Sequence, residues 1–149
     1  MDKRDVLGMT GRLHFLLTGP DGRIKEDRWI TNTVTALGDA HVADQLSDQG
    51  DVAMSHMAVG TGTPTGTDLQ TEIDRNALDS TTQGAAGDDN DVIYVCTWAA
   101  GDGTGALTEA GIFNDGAAGT MFVSASFAAI NKAAGDSLVI TWTVTFGAT

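Results

Sequence analysis

The chain has 149 residues, a formal net charge of −12, 42% hydrophobic residues, and 19 glycines against two prolines. That length fits one domain large enough to bury a core, and the apolar content is too high for a disordered chain. The acidity excludes a nucleic-acid-binding body, because phosphates would be repelled, and no apolar run reaches the ~20 residues of a membrane helix.

Residues 1–10 are expected to form an N-terminal arm; they hold basic residues but no apolar stretch, so no secretory signal is expected. From Arg12 to Thr18 the chain alternates, with Leu13, Phe15 and Leu17 on one face of a strand. Gly19-Pro20-Asp21-Gly22 is a turn signal with proline in second place. Arg23 to Thr33 returns as a second strand carrying Trp29. Thr33 or Thr35 can cap a helix reaching about Ser47, with Ala36, Ala40, Ala43 and Leu46 as its stripe, flanked by Val42; Gly38 and Asp39 weaken it. Asp48 to Asp51 ends that helix, Ala53 to Gly60 reads as a strand, and Thr61 to Thr67 as a loop.

Asp68 to Asn76 is expected to hold one or two helical turns, because Leu69 and Ile73 are one turn apart. A short strand follows at Ala77 to Gln83, then a polar, acidic loop from Gly84 to Asp91. Val92 to Trp98 is a strand with Tyr94, Cys96 and Trp98 on one face, and Cys96, the single cysteine, is expected as a buried small hydrophobe. From Leu107 to Phe146 the pattern is strand, Gly-rich turn, strand, bend, strand. In the last strand Leu138, Ile140, Trp142, Val144 and Phe146 point one way, while Val139, Thr141, Thr143 and Thr145 face solvent. The fold class expected is mainly β, a β-rich α+β domain built as a compact β-sandwich or small barrel-like fold with one short helix, spanning 1–149 as a single domain. All nine aromatic residues fall in expected strands.

The C-terminal order is Glu109, Gly111, Ile112, Phe113, Asn114, then Ile130, Asn131, Lys132, then Gly135, Asp136, then Trp142. Upstream lie Val34-Thr35-Ala36-Leu37-Gly38, Val59-Gly60-Thr61-Gly62-Thr63 and Leu69-Gln70-Thr71-Glu72-Ile73-Asp74-Arg75. Over roughly residues 30 to 146 this ordered set resembles capsid decoration and turret-type structural proteins of tailed viruses, of phage or haloarchaeal virus type. The resemblance implies a non-enzymatic virion structural protein on the outer capsid surface, made in the host cytoplasm. Its expected partners are the major capsid protein or other virion proteins and copies of itself, a trimer first, with a pentamer or hexamer as alternatives. No nucleic acid, membrane or cofactor is expected. The rival reading is a tail-tip or tail-fibre module that attaches to a host-surface glycan.

Charge placement adds to this. Seventeen of the 20 acids are aspartates, and six of the eight bases (Lys3, Arg4, Arg12, Arg23, Lys25, Arg28) lie in the first 28 positions. Beyond them 15 acids face only Arg75 and Lys132. A high-salt host accounts for this better than an ordinary acidic virion exterior, because so large a charge strains a small fold at low ionic strength.

Chemical sites are sparse. The Gly60–Thr63 loop lacks the Gly-Lys-Ser/Thr of a phosphate-binding loop. Asp88, Asp89 and Asp91 are the nearest candidates for a hard cation, but the calcium-loop pattern fails and no metal is expected. His14, His41 and His56 lack metal-ligand spacing. Glu109, placed in a strand, is expected to pair with Arg75 or Lys132. The residues expected to matter structurally or at an interface are therefore Arg12, Arg23, Lys25, Arg28, Arg75, Glu109, Gly111, Phe113, Lys132 and Trp142, none of them catalytic.

Overall fold

The computed structural model describes residues 7–148. Two five-stranded antiparallel sheets pack face to face. The first holds β1 (Leu7–Thr18), β2 (Ile24–Thr31), β6 (Ser80–Gln83), β7 (Asp91–Trp98) and β10 (Ser137–Ala148), in the order β2-β1-β10-β7-β6. The second holds β3 (Thr33–Val34), β4 (His56–Gly60), β5 (Glu72–Ala77), β8 (Gly105–Phe113) and β9 (Met121–Lys132), in the order β3-β9-β8-β4-β5. This is a sandwich, not a closed barrel, and α1 (Ala36–Ser47) is its helix among the described residues.

Strand alternation builds the core directly. Leu13, Phe15 and Leu17 of β1 meet Leu138, Ile140, Trp142 and Val144 of β10 and Tyr94, Cys96 and Trp98 of β7, all buried. Phe146 is only half-buried at the end of that row. The opposite face of β10 is less solvated than expected: Thr143 is buried and Val139, Thr141 and Thr145 are half-covered, because β1 and β7 flank them on both sides. The expected arm is corrected in part. Positions 7–10 belong to β1, paired with β10, and the rest of the arm lies outside the described residues.

Two local expectations fail. The stripe Ala36, Ala40, Ala43 and Leu46 faces solvent, with Leu46 81% exposed. The face that packs is Gly38 and His41, with Val42 beside them. Thr35 caps the helix by accepting from the Gly38 N–H at 2.8 Å and donates its hydroxyl to the Met121 carbonyl at 2.7 Å. A Cβ on Gly38 would lie 2.1 Å from the Phe122 carbonyl oxygen, so glycine lets the helix close on β9. The second failure is Asp68–Asn76. Glu72–Ala77 is a strand paired with β4; Leu69 is buried, but Ile73 is 40% exposed, so the two do not form a helical face.

Candidate functional site

The motif residues of β8 converge on the outer face of the second sheet. Register shifts beside Thr108 place Glu109, Gly111 and Phe113 outward, while Leu107, Ala110 and Ile112 join the main core. The β4–β5 loop folds back over this face. Glu109 is 0% exposed and holds the loop by accepting from the backbone N–H groups of Gly62 (3.1 Å), Gln70 (2.9 Å) and Thr71 (2.7 Å). Leu69 drops onto Ala58, Phe113 and Met121 to form a second small core. A Cβ on Gly111 would crowd Met121, Phe113 and Leu69 at 3.0–3.3 Å, and one on Gly60 would meet the Glu109 carboxylate at 2.4 Å. The glycines of the motif are therefore the floor on which the loop lies.

The expected ion pair of Glu109 is overturned, since its carboxylate is taken by backbone donors. Arg75 instead lies 3.7 Å over the Phe113 ring, pairs with Glu72 at 2.6 Å and donates to the Asp115 and Ala118 carbonyls. Lys132 is buried and donates to the Ala99 carbonyl at 3.0 Å; desolvation pulls its ammonium below the usual lysine range. Asp136 accepts from Lys25 at 2.7 Å and from the Ala133 N–H at 2.8 Å, and these bonds hold its carboxyl below the usual range. Asn114 ties the β8–β9 turn, accepting from the Thr120 N–H and donating to Asp51. Trp142 donates its indole N–H to the Asn32 side chain at 2.9 Å.

The basic residues of the β1–β2 hairpin divide. Lys25 and Arg28 are engaged internally, Arg28 donating to the Ala128 carbonyl and to Glu26. Arg23 is exposed, and Arg12 is exposed on the outer face of the first sheet, 5.2 Å from the Trp29 ring. Trp29, 57% exposed, stacks on His14 at 4.6 Å, and His14 bonds Asp27 at 2.6 Å. Sequence reasoning placed Trp29 in a strand but not on this face. The signal was in the hairpin register: β1 buries Leu13, Phe15 and Leu17, and Trp29 lies opposite His14 on the other face.

The other candidates remain apart. Asp88 and Asp89 are exposed, Asp91 accepts from the Thr145 hydroxyl at 2.6 Å, and no cluster of three or more metal-ligating side chains occurs among the described residues. His41 is buried against Asp51 at 2.8 Å, and His56 bonds Ser55. Burial pushes the Cys96 thiol up to about 12. A groove of about 400 Å³ opens between α1 and the sheets, with Met54, Tyr94, Phe122 and Phe146 in its apolar lining, and burial pushes the Tyr94 hydroxyl up to about 12. No described helix is long and apolar enough to cross a membrane. No protein-family model matches the chain, and comparisons with curated proteins and with solved structures return no match.

Proposed function

We propose that this chain is a non-enzymatic structural component of a tailed-virus particle, carried as a homo-oligomer on the outer capsid surface in a decoration or turret role. The observation that supports the reading is how the motif residues are used. Glu109, Lys132 and Asp136 are each occupied by partners inside the fold, and Gly111, Phe113 and Trp142 are packing positions. A rigid sandwich with its polar motif groups internally satisfied suits adhesion rather than turnover. The uncovered face of the first sheet, with Trp29 on its edge strand and Arg12 beside it on β1, gives such a module something to adhere with.

A cryo-EM map of the particle, with this chain traced, tests the proposal. Density on the outer capsid surface is the expected result. Density at the tail tip would replace it with the host-attachment reading, for which the exposed Trp29 indole offers a sugar-stacking plane. A complete map without the chain would reject both.

A further inference from the structure

One broad face of the sandwich has no cover among the described elements. Across the first sheet the outward row runs Trp29, His14, Thr141, Val95, with Leu16 and Val139 on the next row. The opposite side of the molecule differs, because the β4–β5 loop is laid over it. We propose that the open face docks a second copy of this chain, sheet on sheet, with Trp29 as its anchor. The inference rests on the homo-oligomeric part of the function proposed above and names the surface that serves it.

Area supports the assignment. Strands of 8, 12, 12, 8 and 4 residues, at ~3.3 Å per residue and ~4.8 Å between strands, make a face of roughly 700 Å². A standard interface buries about 800 Å² per partner. Charge supports it too. In a chain of net −12, a copy must be met where carboxylates are sparse. β6 and β10 carry no acid, and β7 carries only Asp91 at its first residue, tied to Thr145.

Two of the charges on the face, Arg12 and Asp27, are complementary to their own copy, while the carboxylates at its far side are tied to hydroxyls, Asp91 to Thr145 and Asp79 to Thr97. Arg12 and Asp27 flank the Trp29–His14 row, one on each side along the strands. A twofold axis along that row reverses the strand direction and brings Arg12 of each copy beside Asp27 of the other. The contact is then isologous and closes as a pair. An exposed tryptophan backed by an arginine is the side-chain chemistry that anchors protein interfaces.

The test is sedimentation of the full chain at micromolar concentration in molar NaCl, with folding checked by circular dichroism and melting. The wild type should run as a pair, in place of the trimer, pentamer or hexamer that the resemblance implies. Thr141→Arg, at the centre of the face, should run as a monomer. Trp29→Ala, at its edge, should weaken the pair by about 30-fold, as loss of an interface anchor does. Leu46→Asp, on the exposed side of α1, should leave the pair intact. If Thr141→Arg does not fold, Trp29→Ala decides. Pairing unchanged in whichever of these two variants decides would overturn the surface while leaving homo-oligomerisation standing. A monomeric wild type would overturn the docking altogether, whereas a particle map without the chain would reject the virion role and leave the pairing result untouched.

Discussion

A carboxylate shut away from water needs donors, and Glu109 finds three in a loop 38 to 47 residues upstream rather than in a basic side chain. Removing it strands those backbone N–H groups over an apolar floor. Glu109→Ala should therefore cost about 3 kcal/mol and speed amide exchange at Gly62, Gln70 and Thr71. A loss under about 1 kcal/mol with unchanged exchange would show that the loop does not depend on the carboxylate. Trp142 is a simpler case: buried at 0% exposure, it should cost about 3–5 kcal/mol when cut to alanine in denaturant unfolding. A near-neutral effect would refute its place in the core. Asp136 supplies a pH signature. Its folded-state carboxyl is depressed, first by Lys25 and then by the Ala133 N–H. Its stabilisation is then complete above the unfolded value of ~3.9 and fades as pH falls toward the folded value. The stability gap between wild type and Asp136→Asn should accordingly shrink below about pH 4; a gap constant with pH would contradict the assignment.

At the scale of elements, what was legible in the sequence followed from side-chain period. Leu13, Phe15 and Leu17 of β1, Tyr94, Cys96 and Trp98 of β7, and Leu138, Ile140, Trp142 and Val144 of β10 recur at every second position, and burial follows that alternation. The face of α1 was not legible, because it is chosen by a residue with no side chain. Gly38 carries no hydrophobic signal, yet it sets the approach of the helix to β9. β5 was misread because Leu69 and Ile73 mimic helical spacing, while the bonds that hold the preceding loop run from backbone N–H groups to Glu109 and leave no mark in residue types. Gly38 also separates propensity from packing by sign. Helix propensity says that glycine to alanine in a helix gains about 1 kcal/mol. The 2.1 Å approach of a Cβ to the Phe122 carbonyl says the reverse. We expect Gly38→Ala to lower the melting temperature, and exposed Ala40→Gly to lower it by a propensity-sized amount. A raised melting temperature in Gly38→Ala would mean that α1 does not seat on β9 as described.

For the whole molecule the governing quantity is charge, and its effect turns on how many acids have partners. Beyond residue 28, 15 acids face two bases. Glu72 pairs with Arg75, Asp136 with Lys25, and Asp51 with His41 when that ring is protonated. Others are satisfied by N–H or hydroxyl groups, which leave the charge in place, as at Glu109 and Asp91. Salt acts on both sides of this balance. It weakens the few ion pairs, each worth about 0–1 kcal/mol at an exposed site. It also relieves repulsion spread over the whole surface, as the screening length shrinks from ~10 Å at 0.1 M to ~3 Å at 1 M. Repulsion has more terms here, so stability, the proposed pairing through the first sheet and the proposed attachment to an acidic lattice should all rise with NaCl. Denaturant unfolding at stepped NaCl reads the first, sedimentation the second, and stepped washes of particles the third. Attachment carried instead by exposed bases such as Arg12 and Arg23 pairing with capsid carboxylates would fall with salt. Release that grows as NaCl rises would reject adaptation to high salt and leave electrostatic docking through the β1–β2 hairpin.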